Sequence, residues 1–495
     1  MSDYRATIDY FLEDFPRTLF PLDTNRILIE HAAPVLAAVI YQSIATGSDS
    51  GKSFLPQMRA YAAKPNFHLR RTLKLDAVAE FFLYDITYRH RSRFKRSPRA
   101  DRRSFGYRFS GGRMVSPAES YREFRSAVRA GLRKYGFCVK LDVAQYFNSI
   151  YHHDIVHWFR DYSRSEEEVA LLGRFLREIN AGRSIDCLPH GIYPAKIIGS
   201  QLLQFVEETS QLGASATIRF MDDVYLFGDD QDVLARDFQI LQRLLGAKGL
   251  SVNPSKTRFG RVGEVNVRRE VDKIKIGLLK RRGDIILGSG ADDDYWQGDG
   301  DNKLSTEQVE YLLDLLQDDH IEEEDAELVL AVMRDHSSDV IEHFEVILQR
   351  FPSLIKNIYH FARHVDDKTS LLAVIRKFVE KSPVVTEFQL FWIAKLCHDA
   401  LLQTPGVGDL MMSLLQHSAA TPISKGKVLE IPEKRFGMPD FREAQVNTGS
   451  SEWLAWCSAV GSRQIPKAKR SHLLMYFAKG SWFNQVVAEC IRSMG

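Results

Sequence analysis

The sequence predicts an α+β core with an antiparallel sheet, followed by an all-α region of helical repeats. Three observations carry that prediction. Residues 60–285 alternate short runs rich in β-branched and aromatic residues with runs at helical spacing. Inside them, two apolar runs at 218–221 and 224–227 flank the pair Asp222 and Asp223. Beyond residue 303 the helical spacing takes over. A chain of 495 residues, 44% hydrophobic and 26% charged, has material for two or three ordinary globular domains.

Residues 1–60 read as a helical N-terminal extension, closed by the Gly- and Ser-containing stretch 46–53. Its most apolar part, 32–41, contains Pro34 and falls short of the roughly 18 residues a membrane span needs, so no membrane is expected. The opening Met1-Ser2-Asp3-Tyr4 lacks the basic start of a signal peptide. Residues 61–287 form the α+β core. There Phe137-Cys138-Val139-Lys140-Leu141 reads as a buried strand ending on Asp142, and the runs around Asp222 and Asp223 read as a β-hairpin with the two acids at its tip. Val233, Leu234, Phe238, Leu241, Leu244 and Leu245 follow at helical spacing before the stop at Gly249, which predicts a helix behind the hairpin. Two apolar runs in 274–287, split by Lys280-Arg281-Arg282-Gly283, read as a last hairpin.

Residues 288–302 form an acidic linker rich in Gly and Asp, and 303–495 form the helical region. Val340, Ile341, Phe344, Ile347 and Leu348 make one apolar stripe, repeated by Leu371, Leu372, Ile375, Phe378 and Val379. Leu410, Met411, Leu414 and Leu415 echo it, so the region resembles a stack of HEAT-like helix pairs. A Pro- and Gly-containing interruption at 421–450 precedes a last helical part with Trp453, Trp456 and Trp482, where Lys467, Lys469 and Arg470 read as an exposed helix start.

A net charge of only +2 hides a segregation of charge. Residues 89–113 carry Arg89, Arg91, Arg93, Lys95, Arg96, Arg102, Arg103 and Arg108 with Phe94, Phe105, Tyr107 and Phe109 interleaved, while 292–325 is strongly acidic. Aromatics among arginines suit base stacking and phosphate contact together, so this basic run is the expected nucleic-acid surface. Five scattered cysteines, Cys138, Cys187, Cys397, Cys457 and Cys490, form no CxxC pair and indicate neither a disulfide framework nor a zinc site; a reducing cytoplasm is the expected setting.

Pairing the strand of Asp142 with the hairpin of Asp222 and Asp223 brings three carboxylates to one place. They repel unless cations neutralise them. Mg2+ prefers oxygen ligands and phosphates, and two ions roughly 4 Å apart clamp the attacking and leaving oxygens of an in-line phosphoryl transfer. The chemistry expected is nucleotidyl transfer.

Five ordered blocks surround these acids: Ser104-Phe105-Gly106-Tyr107-Arg108, then residues 142–150 from Asp142-Val143-Ala144, then Leu188-Pro189-His190-Gly191, then Phe220-Met221-Asp222-Asp223, then residues 249–257 ending Ser255-Lys256-Thr257. Together they resemble a reverse transcriptase over about residues 60–285, its fingers and palm. Phe220 stands where most relatives carry Tyr, and His190 where most carry Gln. The resemblance implies catalysis by Asp142, Asp222 and Asp223, metal binding by these and Val143, and two Mg2+ per site. It also implies a substrate pocket in which Phe147, beside Tyr146, excludes a 2′-hydroxyl, His190 faces the template and Gly191 lets backbone approach the base pair. Lys256 is expected at the departing pyrophosphate, with Arg71 and Lys74 at the triphosphate.

No RNase H cluster, endonuclease tail or retron motif accompanies the blocks. Helical repeats in place of a thumb, in a chain of this length, resemble the AbiK-like abortive-infection reverse transcriptases, most closely the prophage-encoded kind. That likeness implies a bacterial phage-defence enzyme that polymerises dNTPs without a template and starts on a tyrosine of its own chain. Its single-stranded DNA product would stay attached to a homo-oligomer, a trimer or hexamer. Tyr4, Tyr10, Tyr41 and Tyr61 are all available as primers. A templated reverse transcriptase with a dedicated RNA is the alternative, and a scaffold that kept only the shape is the third reading.

Overall fold

A computed structural model of the protein describes residues 4–47, 51–96, 99–183, 188–265, 278, 304–318 and 321–494. The expected hairpin at 274–287, apart from Leu278, and the acidic linker lie outside the described residues.

The N-terminal extension is helical and central. Helices α1 (Arg5–Asp14) and α2 (Asp23–Ala38) pack on α3 (Ala77–Arg89). Asp76 caps α3 by accepting from the Val78 and Ala79 amides, and every residue of its first three turns is buried. Helix α2 runs on through a π-turned segment, Val39–Ile44, past Pro34, with Ala32 at φ −126° absorbing the bend. The run Asp23–Ile44 is thus 22 residues, longer than the apolar stretch suggested, and by length and composition could cross a membrane. In this fold Leu28, Ile29, Ala33, Leu36 and Ile40 on it are fully buried in the protein core.

Strands β1 (Met58–Ala63) and β2 (Leu69–Lys74) form an antiparallel hairpin. After α3 come β3 (Arg102–Ser104), β4 (Phe109–Ser110), β5 (Arg113–Met114), α4 (Pro117–Lys134), β6 (Phe137–Asp142) and α5 (Tyr146–Ser149). Next are α6 (His152–Tyr162), α7 (Glu166–Ile179), α8 (Tyr193–Leu202), α9 (Phe205–Glu208), β7 (Ala216–Phe220), β8 (Asp223–Gly228), α10 (Gln231–Gly246) and β9 (Arg258–Arg261). The five-stranded sheet has the order β3-β7-β8-β6-β9. It is mixed rather than wholly antiparallel, because the edge strand β3 lies parallel to β7, which the chain reaches only after passing through β6 and the helices α4 to α9.

Side chains alternate between the sheet's two faces. On one, Val139, Leu141, Val224 and Leu226 meet Leu234 and Leu241 of α10, the helix expected behind the hairpin. On the other, α4 lies along the strands, its Phe124 ring 5.4 Å from Phe220 and 5.9 Å from Tyr225. Close packing is enforced at Gly131, where an added Cβ would sit 2.8 Å from the Phe227 ring.

Residues 304–494, wherever described, hold helices joined by turns and no strand. The stripe at 340–348 divides between two short helices, Ser337–Ile341 and Phe344–Arg350, whereas the stripe at 371–379 lies on one, Lys368–Lys381; all ten residues are buried. The stretch 421–450, read as an interruption, holds helices Pro422–Leu429 and Met438–Asn447. Its Pro422 occupies a first-turn position, where Pro starts a helix, and Gly437 at φ 70° is the residue before the second helix.

The helical region grips the N-terminal extension. Glu430, fully buried, accepts from the Asp23 and Thr24 amides at the start of α2, and Lys427, also fully buried, lies 2.9 Å from Asp23 and 2.7 Å from Glu430. Trp392 donates its indole N–H to the Leu19 carbonyl, and Glu387 accepts the Tyr61 amide of β1 at 2.5 Å. The four described cysteines are buried free thiols; Cys187 lies outside the described residues.

Candidate active site

Strand β6 is apolar except at Lys140 and Asp142, and it sits between β8 and β9, so its register fixes where Asp142 emerges. Asp142 is the direct partner of Asp223, and Phe220 pairs across the turn with the same Asp223. The hairpin tip is therefore Met221-Asp222, one residue earlier than the sequence suggested, and Asp223 belongs to the strand. Directly opposed strand residues have Cβ atoms about 5 Å apart, which brings the Asp142 and Asp223 carboxylates side by side. Met221 takes φ 54°, a left-handed conformation at the first turn position that an ordinary side chain adopts only under support.

That support is Arg219, 1% exposed, which sequence reasoning missed. Its guanidinium donates to the Met221 carbonyl at 2.8 Å and forms a two-pronged pair with the Glu207 carboxylate at 2.5 and 2.9 Å. Burial opposes the charge on Arg219, and Glu207 outweighs it, holding the guanidinium above its ordinary pKa. Asn253, also missed, donates to Asp142 Oδ2 at 3.2 Å while its amide donates to the Asp142 carbonyl at 2.7 Å.

The two carboxylates of the hairpin are only partly compensated. Loss of hydration and then repulsion from Asp223 and Asp142 push Asp222 up to about 7, and burial with repulsion from Asp142 also raises Asp223, opposed by Lys140. Among the described residues no three His, Cys, Asp or Glu side chains make a ready metal cage. The donor set still fits Mg2+, which binds through one or two carboxylates and completes its shell with water and substrate phosphates.

Cations converge from two sides. Lys256 Nζ lies 3.3 Å from Asp142 Oδ1, on a side chain 61% exposed. From the β1–β2 hairpin comes Lys64, another residue the sequence did not single out. Burial, then repulsion from Arg70 and Lys256, pulls its ammonium below the usual value, while Asp222 and Asp142 act the other way. Of the two expected triphosphate residues on β2, Lys74 is 6% exposed and its ammonium is 3.1 Å from Glu80, so it serves a buried ion pair. Arg71 alternates with Arg70 along the strand and so sits on its other face. Lys64 is the cation of this hairpin near the carboxylates, with Arg70 beside it.

Phe147 is half-buried, 4.4 Å from the His190 ring, while Tyr146 is buried and donates its hydroxyl to the Gly199 carbonyl at 2.6 Å. Tyr146 is thus held as core. The His190 carbonyl accepts from Thr72 at 2.7 Å. Gly191, at φ 98°, is required by packing: a Cβ there would meet Leu19 Cγ at 2.5 Å, so the expected approach to a base pair is not what demands a glycine. Val143 is buried and bridges to Val252.

The basic run at 89–113 differs from expectation. Phe94, Phe105 and Tyr107 are 1%, 5% and 3% exposed, so these rings are core and cannot stack on bases. Arg102 is buried and donates to the Leu212 carbonyl. Arg89 pairs with Asp85 and Glu168, Arg96 and Arg108 with Glu123, and Arg91 folds back on Tyr88. Arg103 lies over Phe105, leaving Arg93 and Lys95 exposed. Alternating aromatic and basic residues here are one loop's inner and outer faces.

Residues 105–312 match the family model described as reverse transcriptase (RNA-dependent DNA polymerase). Among solved structures, telomerase from Candida albicans in complex with a fragment of telomeric RNA shows 13% identity over 73% of this chain, with a TM-score of 0.28. This chain covers 62% of that one. Apo telomerase from Candida tropicalis shows 11% identity over 86% of this chain and 74% of its own, with a TM-score of 0.30. No curated protein matches the sequence. The family match spans β6, the Asp222–Asp223 hairpin and the Asn253–Lys256 turn just described, so a reverse transcriptase domain is present in this chain.

Proposed function

We propose that this chain is a phage-defence DNA polymerase that joins dNTPs without a template, starting from a tyrosine of its own chain. The observation that carries the reading is the meeting of Asp142, Asp222 and Asp223 at one sheet end, with Asp222 and Asp223 both raised by burial, faced by Lys64 and Lys256. Two Mg2+ ions held by the three Asp would supply charge neutralisation of the reacting phosphate. Lys64 and Arg70 would bind the triphosphate, and Lys256 would hold a proton for the departing pyrophosphate as the new bond to the α-phosphorus forms and the old one breaks.

Template independence is supported by Phe220, 4% exposed and packed on Tyr121 and Phe124, which leaves no hydroxyl at a position where the resembling templated enzymes carry Tyr. Of the four tyrosines considered as primers, Tyr10 is buried, Tyr41 donates its hydroxyl to Asp85 and Tyr4 packs on Phe81. Tyr61 is 37% exposed. The defence role, HEAT-like repeats replacing a thumb, a homotrimer or hexamer and a bacterial cytoplasmic setting rest on the resemblance alone.

The test is to incubate the full chain with labelled dNTPs and Mg2+ but no nucleic acid, then denature it. Label migrating with the polypeptide is expected, and Tyr61→Phe should remove it. Absence of label, with incorporation restored by added RNA, would favour the templated alternative. In the same assay Phe147→Ala should raise ribonucleotide incorporation by about 10- to 200-fold relative to dNTP, the range that one side chain's fit in a pocket commands. Unchanged sugar preference would remove Phe147 as the gate.

A further inference from the structure

Helix α4 carries Arg122, Arg125, Arg129 and Arg133, all exposed and spaced three or four residues apart, which places them in one row along its outer face. The acids of α4 sit elsewhere: Glu119 lies in the first turn, and Glu123 turns toward Arg96 and Arg108. The remaining exposed positions from Arg122 onward are Ser126, Ala130 and Lys134, so no carboxylate interrupts the row. Among the described residues none of the four arginines takes part in an ion pair, in contrast to Arg89, Arg96 and Arg108 of the basic loop.

The row starts at the catalytic end of the sheet and leads away from it. Tyr121, over which Arg125 lies at 5.9 Å, is 5.3 Å from Phe220, the cross-turn partner of Asp223. Phe124 then meets Tyr225, and Gly131 meets Phe227 at the far end of β8. Beside Tyr225, two residues along from Asp142, Lys140 holds its ammonium 5.7 Å from the Tyr225 ring. Positive charge therefore continues from the carboxylates through Lys140 onto α4. At 1.5 Å per residue the row spans about 16 Å, close to five nucleotides of one strand at roughly 3.4 Å each.

We propose that Arg122, Arg125, Arg129 and Arg133 form a track that binds the phosphates of a single nucleic-acid strand leaving the carboxylate site. This rests on the polymerase reading and names where its product runs. Four guanidiniums in a straight line fit a polyphosphate backbone, and contacts to phosphate carry no information about the base.

The test measures binding of a labelled single-stranded DNA to the full chain by fluorescence anisotropy over a salt series, in an Asp222→Asn background so that no synthesis occurs. Charge reversal at three positions, Arg122→Glu, Arg129→Glu and Arg133→Glu, should weaken binding and lower the slope of log K against log salt by about 2, roughly 0.7 for each phosphate that is no longer neutralised. A control with Arg236→Glu and Arg243→Glu on α10, across the sheet, should leave the slope unchanged. An unchanged slope in the triple variant, equal weakening in the control, or preference of the same arginines for duplex DNA would each overturn the proposal, with circular dichroism verifying the fold. Because the assay needs no turnover, failure of the polymerase reading appears separately, as absent incorporation by the wild-type chain with DNA binding retained.

Discussion

Replacing Asp222 and Asp223 together by Ala is expected to lower deoxynucleotide incorporation by at least about 10³-fold while leaving the protein folded. Charge stabilisation at a phosphoryl-transfer site is worth several kcal/mol, and each 1.4 kcal/mol is tenfold in rate. The fold survives because neither carboxylate is used to hold it: Asp222 stands at the turn, Asp223 contributes its backbone to β8, and the hairpin is pinned from behind by Arg219. Both carboxyls are raised, Asp222 by burial and repulsion from Asp223 and Asp142 and Asp223 by burial and repulsion from Asp142, so their removal takes away a cost rather than a support. The double variant should therefore melt at or above the wild-type temperature without metal. Mg2+ should raise the melting temperature of the wild-type chain and not of the variant. Full activity in the double variant, or a fall in its melting temperature of more than a few degrees, would contradict the site.

The three carboxylates could be found in the sequence because each ends or splits an apolar strand, and an acid in such a place has no packing reason to be there. The helix behind the hairpin was legible for the same kind of reason, its period being set by the Leu234 and Leu241 face that meets Val224 and Leu226. Charge partners were not legible. Arg219 lies in a strand buried on both faces, and its counter-charge Glu207 belongs to a short helix with no pattern that would link the two. Lys64 comes to the carboxylates, with Arg70 beside it, through the bend of the β1–β2 hairpin at Asn66 and Phe67, where two non-glycine residues take positive φ, a choice that composition does not announce. The basic loop misled because burial alternates along it, so the aromatics that suggested stacking point inward. Helix starts in the last third were hidden by their own punctuation: Pro422 and Gly437 look like breaks and serve as a first turn and a cap.

Glu207→Ala is expected to destabilise the protein by about 3–5 kcal/mol, because it leaves the Arg219 guanidinium buried without its counter-charge. That is a large share of the roughly 5–15 kcal/mol available to a domain, and it should appear as a lower midpoint in urea. Activity should fall further than the unfolded fraction explains, since an unpaired Arg219 no longer has a fixed place from which to hold the Met221 carbonyl and the turn that carries Asp222. Replacing the pair with apolar residues, Glu207→Leu with Arg219→Met, separates the two effects. A buried ion pair exchanged for well-packed apolar side chains is often neutral in stability, so the midpoint should recover much of its fall. The Met221 carbonyl would still lack its donor, at about 1–3 kcal/mol, and nothing would then oppose the strain of the left-handed Met221. Incorporation should then stay low in a stable protein. Recovery of both stability and activity in the double variant would mean that the turn holds its shape without Arg219, and a cost below about 1 kcal/mol for Glu207→Ala would mean that the guanidinium reaches water when its partner is removed.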